Sequence, residues 1–124
     1  MELRSLSSLA LLTGSLACGN LTSVTQDQFT IRTTGREVVL TNTAAQATFY
    51  LVVEREAAAR INFAFCVGLP QCRSVAPDSS VRIPYDEITG YHAGSHEAVV
   101  YWWRAVQGST GLRADSVRST VSEL

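Results

Sequence analysis

Two histidines and a carboxylate stand close together in the sequence, at a spacing that suits a metal ion. His92 and His96 are the only histidines of the chain, and Glu97 follows directly. Two imidazoles and a carboxylate can hold a metal ion and leave one coordination position open. Gly90 and Gly94 favour a loop over a helix here, so a pair of solvated loop histidines is the alternative interpretation.

Of the three cysteines in the chain, Cys66 and Cys72 form a closely spaced pair. The residues between them, Val67-Gly68-Leu69-Pro70-Gln71, include turn formers, and an even pair in an exported protein is typical of a disulfide. Metal binding is disfavoured because no further cysteine or nearby histidine completes a tetrahedral set. A redox role is disfavoured because redox pairs usually have the C-x-x-C spacing. We therefore predict a disulfide.

Aromatic residues concentrate at Trp102 and Trp103, with Tyr91 a short distance upstream. Adjacent residues on a strand point to opposite faces, so we expect one tryptophan in the core and the other nearer the surface. A surface tryptophan beside a tyrosine can stack on a sugar or anchor a protein interface. These three residues are therefore candidate binding residues, and the alternative is that both tryptophans are covered.

The carboxylates and serines do not indicate an enzyme. Asp86 and Glu87 are neighbours that would diverge on a strand, whereas a glycosidase needs two carboxylates facing each other across a cleft. The serines lie in polar turns without a nucleophile-elbow pattern, and residues 108–111 lack the lysine of a phosphate loop. We predict no catalytic residues and no cofactor, with a small hydrolase as the least favoured alternative.

Short runs of alternating apolar and polar residues make up most of the chain, which is typical of half-buried strands. Pro84 indicates an edge strand or a strand end, and the apolar character of both sides of 97–106 indicates a central strand. The helix-forming stretch 54–60 is too short for a stable isolated helix, so we expect a turn or a single helical turn. Strands are predicted at 29–34, 37–41, 48–54, 61–67, 81–85, 97–106 and 115–124.

About seven short strands with turn signals between them predict an all-β fold. The pattern fits an antiparallel β-sandwich of the immunoglobulin or fibronectin-III type, with a small closed barrel as the alternative. The net charge of −1 gives no electrostatic reason to expect nucleic acid as a partner.

The apolar run that starts at Leu6 ends in Leu16-Ala17-Cys18-Gly19. Its length of roughly a dozen residues suits a secretory signal, and it falls short of the about 20 residues that span a bilayer. The segment resembles a bacterial lipoprotein signal, which is cut before a cysteine that has become lipid-modified. An ordinary secretory signal and an uncleaved segment are the alternatives. The resemblance implies a signal peptide at 1–17, a lipidated Cys18 heading a tether at 18–28, and a β-sandwich domain at 29–124.

Further pieces of sequence carry a wider resemblance, and they span most of the domain. They are Leu40-Thr41-Asn42-Thr43, Cys66 to Cys72, Ile83-Pro84-Tyr85 with Ile88 and Gly90-Tyr91, and Glu97 to Trp103. In these pieces the chain is similar to small bacterial lipoproteins with an immunoglobulin-like β-sandwich domain, a group to which no activity is assigned. The resemblance implies fold and location only.

These observations together predict a lipid-anchored protein of the bacterial cell envelope, at the outer membrane and facing the periplasm or the cell surface. We expect a non-enzymatic binding or structural module. Its partners would be the membrane, through the lipid anchor, and another envelope protein or a glycan. The alternative is a periplasmic carrier of a metal or small ligand that uses His92 and His96.

Overall fold

Within residues 22–124, runs of β-branched and aromatic residues, separated by turn residues, fold into eight strands and one short helix. The computed structural model describes residues 22–124. The strands are β1 (Thr22–Gln26), β2 (Phe29–Thr33), β3 (Glu37–Asn42), β4 (Thr48–Glu54), β5 (Ser74–Val75), β6 (Ser79–Pro84), β7 (Glu97–Gly108) and β8 (Gly111–Glu123). The helix α1 is Arg55–Ala58, and a 3-10 turn covers Tyr85–Glu87.

The strands form two antiparallel sheets of four strands that pack as a sandwich. The first sheet has the order β1-β2-β3-β6 and the second has the order β5-β4-β7-β8. Alternate residues of each sheet point inward, and they meet in a single buried core. That core contains Phe29, Ile31, Val38, Leu40, Val52, Val75, Ile83, Ile88, Ala98, Val100 and Trp102.

Several strand predictions are confirmed. The strand predicted at 48–54 is β4, residue for residue. The stretch 97–106 lies within β7, which is an inner strand between β4 and β8. Pro84 is the last residue of β6, and β6 is an edge of the first sheet. The helical stretch 54–60 contains only the single turn α1, and its exposed helix formers do not extend it further.

The strand predicted at 61–67 is wrong. Residues 61–67 form no strand, although Phe63 and Phe65 are half-buried while Asn62 and Ala64 are exposed. The alternation is real, but it arises because an extended segment lies flat on a sheet face. Such packing needs apolar side chains on one side of the segment, but it does not need a hydrogen-bonded partner strand.

The polar stretch at 18–28, which was predicted as a tether, contains a strand. Thr22–Gln26 forms β1, which pairs along its whole length with β2. Asp27 and Gln28 have positive φ values of 53° and 63°, as a two-residue hairpin turn requires. An exposed edge strand needs little apolar surface, which is why its polar composition indicated a linker. The stretch between the strands predicted at 61–67 and 81–85 likewise contains the short strand β5.

The predicted signal segment at 1–17 and the predicted lipidation site Cys18 lie outside the described residues. Within residues 22–124, no helix is both long enough and apolar enough to cross a membrane.

Candidate functional site

The outer face of the second sheet is aromatic and is covered by residues 59–73, which we call the flap. The ring of Phe63 lies 4.9 Å from that of Tyr101, and the ring of Phe65 lies 5.0 Å from that of Trp103. The indole Nε1–H of Trp103 donates a hydrogen bond of 2.9 Å to the carbonyl oxygen of Cys66. These contacts bury Trp103 beneath the flap, where it is only 2% exposed.

A disulfide closes the flap next to Trp103. Cys66 and Cys72 are bonded, with 5.4 Å between their Cα atoms, as the sequence predicts. Between the flap and β4 lies a small cavity of about 180 Å³, most of whose lining is apolar. Its lining residues are Tyr50, Leu51, Ala64, Cys66, Gln71, Cys72, Arg73 and Trp103.

We expect the double variant Cys66→Ser/Cys72→Ser to loosen the flap. Removing so short a cross-link should lower the free energy of unfolding by about 2 kcal/mol. In a Trp102→Phe background, Trp103 is the only tryptophan, and its emission should shift to the red and become quenchable by iodide. The matched control is the same pair of serines in a Trp103→Phe background, where the core residue Trp102 should stay protected. Unchanged quenching of Trp103 would show that the flap holds without the bridge.

Trp102 lies on the opposite side of β7, in the core. It is 1% exposed, and its ring centroid lies 4.8 Å from that of Phe29. The expectation of one tryptophan nearer the surface is therefore corrected, because the flap covers the outer ring and the facing sheet covers the inner one. Tyr91 is half-buried on the core side, and its ring centroid lies 5.9 Å from that of Tyr85. Tyr91 therefore does not share a surface with Trp103.

Tyr85 connects the 3-10 turn after β6 to the loop after β2. Its hydroxyl donates a hydrogen bond of 2.7 Å to the carbonyl oxygen of Thr34. Burial, and secondarily the nearby Tyr91, raise the pKa of Tyr85 above its ordinary value. The hydroxyl therefore keeps its proton well into the alkaline range and remains a donor.

Two carboxylates and an imidazole lie close together at the C-terminal end of β4. Oxygen atoms of Glu54 and Glu56 and a ring nitrogen of His92 all lie within 4.8 Å of one another. Glu54 is 4% exposed, and its Oε1 accepts a 2.9 Å hydrogen bond from the backbone N–H of Ala57. Glu56 Oε1 lies 3.8 Å from His92 Nε2, and both of these side chains are exposed. We call Glu54, Glu56 and His92 the carboxylate–histidine cluster.

Backbone groups of α1 act on the buried carboxylate of the cluster. The N–H of Ala57 lowers the pKa of Glu54, and this outweighs desolvation, which acts in the opposite direction. Glu54 therefore stays ionised to a lower pH than an ordinary glutamate. Its contribution to stability is present above the usual glutamate pKa and is lost as the pH falls through the lowered value.

The loop that carries His92 is held by backbone contacts to the end of β4, and it approaches α1 closely at Gly90. Thr89 forms a parallel bridge with Val53, and the N–H of Glu54 donates to the carbonyl oxygen of Thr89 at 2.8 Å. Gly90 has a φ of 82°, and a Cβ there would lie 2.5 Å from the Cβ of Ala57. Only glycine allows this close approach, so the loop and the helix are set in one arrangement.

Of the three residues that the sequence grouped as a metal site, only His92 belongs to the carboxylate–histidine cluster. Glu97 forms an ion pair with Arg55 at 3.0 Å. His96 and Glu97 both line a cavity of about 160 Å³ that also borders Glu54, Arg55 and Glu56. The sequence interpretation missed both carboxylates of the cluster, because only the bridge between β4 and the loop brings them to the histidines. The Glu-x-Glu spacing at the end of a predicted strand was the available signal.

The carboxylate–histidine cluster offers oxygen and nitrogen donors, and the flap offers a small apolar cavity with Arg73 in its lining. Both features arise from connections around the second sheet. No protein-family model, curated protein or solved structure matches this chain.

Proposed function

We propose that this chain is a lipid-anchored, non-enzymatic protein of the bacterial cell envelope, and that its domain binds an extended segment of another envelope protein along the edge of β8. The observation that carries the proposal is the edge position of this strand among residues 22–124. β8 runs from Gly111 to Glu123, and it is the last strand in the order of the second sheet. A sheet edge of this kind presents backbone donors and acceptors to an added strand.

The side chains of β8 support the same proposal. Leu112 is 52% exposed, Val117 is 37% exposed and Val121 is 46% exposed. Most strand additions combine backbone hydrogen bonds with apolar side-chain contacts, and these three residues supply the apolar contacts.

The other sheet edges offer less to a partner. β5 has only two residues, and β6 ends at Pro84, which cannot donate a backbone hydrogen bond. β1 has five residues, and Val24 is its exposed apolar side chain, at 39%. Val24 therefore provides a matched control position on the opposite edge.

Strand pairing supports an immunoglobulin-like classification of the sandwich. In immunoglobulin domains strand B pairs with E, and strand F lies between C and G. Here β3 pairs with β6, and β7 lies between β4 and β8, with β5 on the far side of β4. We propose that β3, β4, β6, β7 and β8 correspond to B, C, E, F and G. The disulfide lies in the flap instead of joining the two sheets.

The anchor part of the proposal rests on Cys18 and its resemblance to a lipoprotein cysteine. β1 begins at Thr22, only a few positions after this residue. Two or more acyl chains give stable membrane attachment, so the lipidated chain would be held close to the membrane surface. A partner in the same envelope would then meet the domain at high local concentration.

A photoreactive amino acid at position 121 tests both parts of the proposal in intact cells. We expect it to cross-link to one extended segment of a second envelope protein, identified by mass spectrometry of the adduct, while the same group at position 24 does not. Adding Val117→Lys should abolish the adduct. Adding Cys18→Ser should move the chain out of the membrane fraction and weaken cross-linking. Equal adducts at positions 24 and 121, or an adduct with a second copy of this chain, would contradict the proposed partner.

A further inference from the structure

We infer that Glu54, Glu56 and His92 bind a divalent transition-metal ion of the Zn²⁺ type. The inference goes beyond the proposed partner binding and does not depend on it, since the cluster and β8 are separate features. It also differs from the metal site indicated by the sequence, because Glu97 is replaced by two carboxylates from the end of β4 and from α1.

The donor set and its spacing fit such an ion. Imidazole nitrogen and carboxylate oxygen bind Zn²⁺ at about 2.0–2.2 Å, which places tetrahedral ligand atoms about 3.3 Å apart. The donor atoms of the cluster lie within 4.8 Å of one another without an ion. The side chains of Glu56 and His92 are 68% and 55% exposed, so small rotations can bring their donor atoms onto a metal ion.

The ring of His92 is oriented as a metal ligand. Its Nδ1 lies 2.9 Å from the carbonyl oxygen of Ala93, which can only accept a hydrogen bond. In the neutral ring the proton therefore sits on Nδ1, and the lone pair is on Nε2, the nitrogen nearest Glu56. Metal-binding histidines commonly donate their other N–H to a carbonyl or carboxylate in this way.

Glu54 supplies a further argument, because it is a buried carboxylate that forms no ion pair. It is 4% exposed, and none of the ion pairs among residues 22–124 includes it. The hydrogen bond from Ala57 satisfies Oε1, and the positively charged side chain of Arg60 acts on the carboxylate without forming an ion pair with it. A buried charge is stable when it is paired or coordinates a metal, and a divalent ion would neutralise both Glu54 and Glu56.

The cavity beside the cluster leaves room for the rest of the coordination sphere. It has a volume of about 160 Å³ and is lined by Glu54, Glu56 and His96, and by Glu97 with its ion-pair partner Arg55. Water or the imidazole of His96 can therefore complete four-coordination on that side. The bridge between Thr89 and Val53 fixes the two chain segments that carry the ligands, so little ordering is needed on binding.

Titration of the purified full-length chain with Zn²⁺, followed by calorimetry, tests the site. We expect one ion per chain and a rise in the midpoint of thermal unfolding. Glu56→Gln and His92→Gln, both at exposed positions, should each weaken binding at least tenfold while leaving the apo midpoint nearly unchanged. In NMR spectra, Zn²⁺ should shift the His92 Nε2 resonance and leave its Nδ1 proton in place.

Glu97→Gln is the matched control, because Glu97 is a nearby carboxylate that Arg55 already engages. Its affinity for Zn²⁺ should equal that of the unchanged chain. The inference is overturned if no ion binds, if Glu56→Gln and His92→Gln bind as tightly as the unchanged chain, or if Glu97→Gln loses as much affinity as they do.

Discussion

Replacing Trp102 with alanine should lower the free energy of unfolding by about 3–5 kcal/mol, as expected for the loss of a fully buried tryptophan. Trp102 is among the largest fully buried side chains, and its ring packs on Phe29 with 4.8 Å between centroids. The guanidinium groups of Arg118 and Arg104 lie 5.1 Å and 5.8 Å from the ring centroid. The substitution removes these contacts together and leaves a cavity between the sheets. Urea unfolding, followed by Trp103 fluorescence, measures the loss.

Trp102→Phe is the informative control for that substitution. Among the described residues, the indole Nε1–H of Trp102 is buried without a hydrogen-bond partner, which costs about 1–3 kcal/mol in the folded state. Phenylalanine removes this unsatisfied donor and keeps an aromatic ring against Phe29. We therefore expect Trp102→Phe to lose less than half as much stability as Trp102→Ala. Equal losses would show that the indole N–H is satisfied in solution.

Replacing Gly90 with alanine should lower the free energy of unfolding by about 2–4 kcal/mol. The φ of 82° is strained for any residue with a Cβ, and the new Cβ would lie 2.5 Å from the Cβ of Ala57. To relieve the contact, the loop must move away from α1, and His92 moves with it. Calorimetry should therefore show weaker Zn²⁺ binding as well as a lower thermal midpoint.

Two variants separate backbone strain from the steric clash at Gly90. Gly94 lies in the same loop with a φ of 98°, but a Cβ there would meet no atom within 4 Å. Gly94→Ala should therefore cost only about 1 kcal/mol, because it carries the strain without the clash. Adding Ala57→Gly to Gly90→Ala should recover part of the lost stability. If Gly94→Ala is as damaging as Gly90→Ala, the close approach to the helix is not the cause.

Sequence patterns locate best the strands that carry apolar residues on both faces. β4 and β7 are rich in β-branched and aromatic residues because the core covers one face of each and the flap lies over part of the other. Residues 61–67 show the limit of such patterns. Alternation records which side chains are buried, and it does not record whether the backbone pairs with a neighbour.

The candidate site was only partly predictable for a different reason. His92 is recognisable as a candidate ligand because histidine commonly binds metal ions. Glu54 and Glu56 lie in a helix-forming stretch, where glutamates are common without any site. Their meeting depends on the bridge between Thr89 and Val53 and on the close contact of Gly90 with Ala57. Both are long-range features that no local spacing encodes. The strand β1 was missed because its threonines and serines are equally common in linkers.

The flap also bears on the order of events during folding. The ring that it forms is closed by a covalent bond that requires an oxidising compartment, and this bond joins two residues of the flap instead of the two sheets. A chain held under reducing conditions would therefore have its sandwich in place before the cover over Tyr101 and Trp103 is secured. Exposed aromatic sheet surface of that kind promotes self-association. We therefore expect the reduced chain to self-associate more readily than the oxidised chain, which size-exclusion chromatography with and without reductant would show.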